Sequence, residues 1–233
     1  MRINRYISQS GLCSRREADR LIEEGAVFLN GKKAELGDAV NEGDEVTVNG
    51  RPLDNSGRHL YFVLNKPKGI VCTLAEKEDN NLYECVDIDE FVTYAGRLDK
   101  DSEGLLILTN DGGLIDSLMT GGTGHEKEYV VTVAGGLTGE VIEGFKKGVW
   151  LPDLRRKTLP CRAWISKENE FHIVLTQGIN RQIRRMCKAF GMRVTRLQRI
   201  RIENIKLGGL KPGKMRKMSS DEIKELKKRA GRG

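Results

Sequence analysis

Between Asn180 and Arg201 the chain places eight basic residues (Arg181, Arg184, Arg185, Lys188, Arg193, Arg196, Arg199 and Arg201) and no acid. Guanidinium groups at this density are suited to neutralising phosphates, each contact releasing counterions and steepening the salt dependence of binding. From Lys206 to Gly233 ten further basic residues face three acids, whereas Glu76 to Glu90 carries seven acids and one lysine. The 233 residues sum to a net charge of +7. Such polarisation suits a protein that holds a polyanion on one side and water on the other. An ordinary solvated surface would need no concentration of arginine.

Other chemistries lack their residues. The three histidines form no H-E-x-x-H pair, and no G-x-x-x-x-G-K-S/T loop is present, so neither a metal nor a cofactor is expected. Five scattered cysteines, never spaced C-x-x-C, fit a reducing cytoplasm better than a disulfide framework. No apolar run is long enough to span a membrane, and Met1-Arg2-Ile3-Asn4-Arg5 lacks a secretory h-region. The expected protein is cytoplasmic and not membrane-bound.

The elements that must position these residues fall into two groups. In the first fifty residues, Ile3 to Ser10 reads as a short helix stopped by Gly11. Ser14-Arg15-Arg16-Glu17 reads as a capping box opening a helix that buries Ala18, Leu21 and Ile22 and ends at Gly25. Val27–Leu29 and Val46–Val48 are strand-like, each followed by an Asn-Gly pair suited to a type I′ turn. The polar run Asp54-Asn55-Ser56-Gly57 is placed as the linker, giving domains 1–56 and 57–233. Beyond it, strands are expected at Tyr61–Leu64, Gly104–Thr109, Glu128–Val133, Cys161–Ile165 and Phe171–Thr176. Helices are expected at Leu114–Met119, Glu140–Lys146 and Arg181–Phe190, with a last one behind the Ser219–Glu222 capping box. In the 181–190 helix, Ile183, Met186, Cys187 and Phe190 form one apolar stripe, leaving Arg181, Arg184, Arg185 and Lys188 off it to meet anions.

The first unit resembles an S4 RNA-binding domain, through Ser14-Arg15-Arg16-Glu17-Ala18 and Val27-Phe28-Leu29-Asn30-Gly31-Lys32. Arg15, Arg16, Arg20, Lys32 and Lys33 are its candidate phosphate contacts. A second resemblance begins at Gly96-Arg97-Leu98-Asp99, continues through Lys100-Asp101-Ser102-Glu103-Gly104-Leu105-Leu106 and closes at Thr109-Asn110-Asp111-Gly112. Lys127-Glu128-Tyr129 and Gly178-Ile179-Asn180-Arg181-Gln182-Ile183-Arg184-Arg185-Met186 follow in order. Together these segments resemble the RsuA-type pseudouridine synthases, and His125 to Tyr129 with Asn180 to Arg201 look closest to the F type, which modifies 23S rRNA.

That resemblance implies an α+β fold: a small α/β S4-like domain, then a larger domain with a mostly antiparallel mixed sheet flanked by helices and a cleft for RNA. It also implies the reaction, in which the N1–C1′ bond of uridine breaks, the uracil turns and C5 rejoins C1′. Asp99 is the implied catalytic carboxylate. It could stabilise positive character at C1′, trap it covalently or take the C2′ proton, and the sequence does not choose among these. Arg184, at the Gln-Ile-Arg position, is the implied guanidinium that keeps Asp99 ionised. Tyr129 is implied to stack on the everted uracil and help remove the C5 proton. Arg97 fills the gap left by the base or holds a phosphate. Leu197 is either an apolar wall for the base or plain core. Arg181, Arg185, Lys188, Arg193 and Arg196 are expected to contact phosphates, which position more than they specify.

The expected partner is 23S rRNA or a ribosomal assembly intermediate, bound by a monomer. The alternatives are 16S rRNA, a tRNA anticodon stem-loop, or a non-catalytic S4-type RNA-binding or ribosome-assembly protein.

Overall fold

A computed structural model describes residues 1–53, 59–73, 80–86, 92–119 and 124–231, without the side chains of 83 and 84. The expected linker at Asp54–Gly57 and most of the acidic run lie outside the described residues.

The N-terminal unit opens with α1 (Ile3–Gln9) and α2 (Arg15–Glu23). The hydroxyl of Ser14 accepts from the Glu17 N–H at 3.1 Å, as the capping box predicts. Its reciprocal half is not made, because the Glu17 carboxylate is taken by Arg20 one turn on. Gly25 ends the helix at φ +75°, a conformation that costs glycine nothing. Strands β1 (Val27–Leu29), β2 (Lys32–Lys33), β3 (Val46–Val48) and β4 (Arg51–Pro52) form a sheet ordered β2-β1-β3-β4. Both Asn-Gly pairs carry the positive φ values of a type I′ turn. Ile3, Ile7, Ala18, Ile22, Val27, Val46 and Val48 close this small core.

The larger unit contains β5 (Tyr61–Lys66), β6 (Thr93–Ala95), β7 (Glu103–Thr109), α3 (Gly112–Met119), β8 (Lys127–Ala134), α4 (Gly139–Lys146), β9 (Trp150–Leu151) and β10 (Arg156–Lys157). It continues with β11 (Arg162–Lys167), β12 (Glu170–Leu175), α5 (Gln182–Ala189), β13 (Arg193–Ile202), β14 (Ile205–Lys206), β15 (Met215–Lys217) and α6 (Ser220–Arg229). Its main sheet runs β11-β12-β8-β13-β7-β5-β15, with β14 added to β13 and β6 to β7. Among the described strands of this sheet only β7 and β13 pair in parallel, so the sheet is mixed and mostly antiparallel, as expected. Helices α4 and α5 pack on one half, where Phe145, Phe171, Ile183, Met186 and Cys187 are buried. Helices α3 and α6 pack on the other, over Val63, Leu105, Ile107 and Leu226. The Ser219–Glu222 capping box forms in full ahead of α6.

The ten-residue strand β13 was not among the expected strands, and of its residues only Leu197 was expected as an apolar wall or core. Four arginines and two register shifts, at Val194/Arg196 and Arg199/Arg201, break its alternation. It is nonetheless the sheet's centre, and it meets β7 where Gln198 faces Glu103 and Arg199 faces Gly104. Gly104 stands there at φ +106°, and a Cβ on it would lie 2.3 Å from the Arg199 carbonyl oxygen. A side chain is excluded twice, by backbone conformation and by space.

The two units touch. Arg5 and Arg15 both reach Asp116 of α3, at 3.5 and 3.1 Å. Arg15, expected on a phosphate-binding surface, is thus turned toward the larger unit, and Arg20 is engaged by Glu17 and Glu24. All four pairs are exposed and therefore weak.

The Gly104→Ala variant is expected to lose at least about 2 kcal/mol of stability from the positive φ alone. Urea unfolding measures it, and a change below about 0.5 kcal/mol would show that β7 and β13 can separate without cost.

Candidate active site

Asp99 lies on the loop between β6 and β7, and that loop is held through its main chain. The Ser102 N–H donates to the Asp99 carbonyl at 3.0 Å, closing a tight turn. The Gly69 N–H donates to the Lys100 carbonyl at 2.8 Å. Arg184 Nη2 donates to the Asp101 carbonyl at 3.0 Å, and Arg199 Nη1 to the Arg97 carbonyl at 3.3 Å. Leu98 is buried, and its N–H is 3.3 Å from the Cys72 sulfur. Carbonyls on both sides of Asp99 are thus satisfied by groups from elsewhere in the fold. The loop behind this one is fixed in turn by the buried Lys66, whose ammonium donates to the Pro67 and Ile70 carbonyls at 2.8 Å each. Burial pulls that ammonium below its ordinary pKa.

The Asp99 side chain is partly exposed, with Oδ2 3.7 Å from Arg181 Nη1. The same guanidinium nitrogen is 3.8 Å from Asp101 Oδ2. This corrects the expected pairing, in which Arg184 clamps Asp99. Arg181 stands at the N-cap of α5 in a left-handed conformation, φ 53°, beside the Asp99 loop. Arg184, one turn into the helix, directs Nη2 to the carbonyl of Asp101 and Nη1, at 3.5 Å, to that of Val194, while its buried Nε has no partner among the described residues. Arg184 therefore holds the loop that carries Asp99, while the nearest cation to the carboxylate is Arg181.

Asp99, Arg97, Tyr129, Arg181 and Leu197 line one cleft of about 370 Å³, within the range that accepts a small ligand. Leu197 is buried in its wall and belongs to the α4–α5 core as well, so both readings of it describe the same side chain. Tyr129 is half-buried between two apolar clusters.

The chain matches the family model for RNA pseudouridylate synthase over residues 60–189 and that for the S4 domain over residues 1–46. It is 47% identical over 227 residues to the dual-specificity RNA pseudouridine synthase RluF of Salmonella typhi, covering 97% of this chain and 78% of that one. It is 35% identical over 243 residues to the ribosomal large subunit pseudouridine synthase B of Bacillus subtilis, covering 100% and 98%. This chain belongs to the RNA pseudouridine synthase family. A solved pseudouridylate synthase superposes with a TM-score of 0.72 at 28% identity, over 97% of this chain and 99% of the other. The protein is a pseudouridine synthase acting on RNA, with an N-terminal S4 domain, and the non-catalytic alternative falls.

In this synthase the remaining basic residues divide by environment. Arg185 is drawn to Asp153 and to the Asn180 carbonyl, and Arg196 to Glu103 at 2.7 Å. Neither is the free cation expected. Lys188, Arg193, Arg16, Lys32 and Lys33 are exposed and make no ion pair with the acids of the described residues. Arg97 is exposed at the cleft, and its carbonyl serves Arg199.

Two cleft residues escaped the sequence reading. Arg199 is 2% exposed, donates from Nε to the Leu105 carbonyl at 2.7 Å and leaves Nη2 without a partner among the described residues. Lys127 was visible only as part of the Lys127–Tyr129 motif. It shares a face of β8 with Tyr129, while Glu128 points the other way to His172 and Arg201, at 3.0 and 2.9 Å. Burial and the neighbouring Arg199 charge push the Lys127 ammonium below its ordinary pKa. The signal for Arg199 was its place two residues after Leu197 on a strand, hidden by the strand's irregular pattern.

Replacing Arg184 by lysine keeps the charge and loses the fork that spans two carbonyls. Since misplacement by about 1 Å can cost about 100-fold, Arg184→Lys is expected to slow single turnover by about 10–100-fold. RNA affinity should stay near that of the parent. A parental rate would show that the loop holds its shape without this contact.

Proposed function

We propose that this synthase converts a specific uridine of 23S rRNA to pseudouridine, working in the cytoplasm as a monomer. The observation that carries the reading is the placement of Asp99, with Arg181 beside it, in a cleft walled by Tyr129 and Leu197. A uridine in a stem is unreachable there, so the base must be everted at a cost of a few kcal/mol. Stacking on Tyr129 offsets about 1–3 kcal/mol of that cost. Asp99 then meets the sugar at C1′. The N1–C1′ bond breaks, C5–C1′ forms, and one hydrogen leaves C5 while one is gained at N1. The sum is an isomerisation that consumes no oxidant or phosphate.

The phosphates on either side of the everted nucleotide fall to Lys188, Arg193 and Arg97, and to Arg181, Arg185 and Arg196 once their exposed pairs open. The S4 domain, taken as residues 1–56, adds Arg16, Lys32 and Lys33 as an anchor, with Arg15 and Arg20 available on release of their pairs. The RluF relatives are dual-specificity RNA pseudouridine synthases, which supports testing a second RNA, either 16S rRNA or a tRNA anticodon stem-loop. Mapping pseudouridine across total RNA from cells with and without the protein identifies the target. A 23S site lost with the protein is the expected result, and loss of sites elsewhere only would move the assignment to another RNA.

Asp99→Asn is expected to abolish pseudouridine formation while RNA affinity stays within a few-fold of parental. Turnover by this variant would remove the carboxylate from the chemistry.

Lys188→Ala combined with Arg193→Ala should lower the slope of log K against log salt by about 1.4–1.8, as for two lost phosphate contacts. An unchanged slope would place both side chains off the RNA path.

A further inference from the structure

The charge balance inside the cleft is uneven. Asp99 has Arg181 as its partner. Lys127 and Arg199 line the same cleft without a carboxylate of their own. The ammonium of Lys127 has neither hydrogen bond nor ion pair among the described residues, and the groups that act on it are burial, the positive Arg199 and, more distantly, Glu203. Glu203 is already engaged: its Oε1 accepts from the Glu126 N–H at 2.8 Å and lies 3.2 Å from His125 Nδ1. Arg199 spends Nε and Nη1 on the Leu105 and Arg97 carbonyls and keeps a buried Nη2 with no acceptor among the described residues. A half-buried ammonium and a buried guanidinium, mutually repelling and with no carboxylate in contact with either among the described residues, are costly to maintain in a folded protein. Their arrangement makes sense if a negative charge arrives during turnover.

The reaction supplies one. When N1–C1′ breaks heterolytically the electron pair stays on the base, and uracil becomes an anion with its charge shared among N1, O2 and O4. We propose that Lys127, supported by Arg199, is a catalytic residue that stabilises the detached uracil anion by donating to its carbonyl oxygens. Lys127 remains an ammonium throughout, so no proton beyond the C5-to-N1 exchange is needed. The inference rests on the reading of Asp99 as the group that meets C1′. A phosphate is the less fitting occupant, since phosphates stay at the mouth of a base-flipping site, where the exposed Arg97 already lines the cleft. Two N–H donors beside Tyr129 and Leu197 fit the edge of a base instead. Donors placed where charge develops act strongly in a site that excludes water.

The test uses the full-length protein and two RNA substrates, one with uridine at the target and one with 5-fluorouridine. Fluorine makes the leaving uracil a weaker base, so its anion needs less help. Lys127→Met is expected to slow single-turnover cleavage of the uridine bond by about 100–1,000-fold, as for loss of one preorganised donor. RNA affinity should be unchanged within a few-fold, Lys127→Arg should recover most of the rate, and the defect should shrink at least tenfold on the fluorinated RNA. If the Met variant fails to fold, Lys127→Gln is read the same way. Three results overturn the proposal: a rate near parental, an equal defect on both RNAs, or a loss confined to RNA affinity, which would make Lys127 a phosphate contact. Failure of the function itself looks different, because the parental protein would then form no pseudouridine.

Discussion

Arginine side chains donating into main-chain carbonyls are the interaction on which the site depends. Asp99 sits on a loop that has no regular secondary structure to hold it, and a loop is ordinarily the most mobile part of a fold. Here the Arg97 carbonyl is tied to β13 by Arg199, and the Asp101 carbonyl is tied to α5 by Arg184. A guanidinium suits this because its charge strengthens each hydrogen bond and its planar fork reaches two acceptors at once. Arg184 bridges Asp101 and Val194, and Arg199 bridges Arg97 and Leu105. The Asp99 carboxylate, proposed above as the catalytic group, is placed by groups that need not touch it.

This scheme works only if β13 and β7 lie side by side, and they do so through the sheet's single described parallel contact. Gly104 permits the backbones to approach there, and the crossing brings Arg199 beneath the loop that precedes β7. The same strand delivers Leu197 to the cleft wall, while β8 next to it delivers Tyr129 and Lys127. Alternation along β8 then separates functions by face. Lys127 and Tyr129 go to the cleft, and Glu128 goes to the opposite side, where His172 and Arg201 hold its carboxyl below the usual range against the contrary effect of burial.

Much of this was legible in the sequence. Capping residues, Asn-Gly turns and the apolar stripe of Ile183, Met186 and Cys187 act locally, so helices α2, α5 and α6 and the N-terminal hairpins could be placed from neighbours along the chain. Asp99, Tyr129 and Leu197 came with their motifs and do meet in one cleft. What stayed hidden depends on partners distant in sequence. The partner of Asp99 is decided by the left-handed turn at Arg181, which places a side chain before the helix rather than on its face. Nothing in the spacing of Arg181 and Arg184 distinguishes the one that reaches a carboxylate from the one that reaches a carbonyl. Strand β13 was obscured for a related reason. Three of its four arginines look like a solvated surface until the fold pairs Arg196 with Glu103 and Arg201 with Glu126 and Glu128, and buries Arg199.

The basic residues form a gradient from buried to exposed, and the gradient separates two tasks. Arg199 and Arg184 are locked to main chain, and releasing either would strand buried polar groups at about 1–3 kcal/mol each. Arg181, Arg185 and Arg196 instead face carboxylates across partly exposed pairs. Such pairs contribute at most about 1 kcal/mol and weaken with salt. Opening them is therefore cheap, and it frees both an arginine and its acid. A carboxylate left beside an arriving phosphate would repel it, so the exchange favours RNA only where the guanidinium can turn away from the acid. For Arg181 the acids are Asp99 and Asp101. On the proposed role of Asp99, a phosphate that drew Arg181 off would leave that carboxylate unpaired and more reactive toward positive character at C1′, while the loop beneath it stayed fixed by Arg184 and Arg199. Separating the group that balances the charge from the groups that fix the geometry lets one change without disturbing the other.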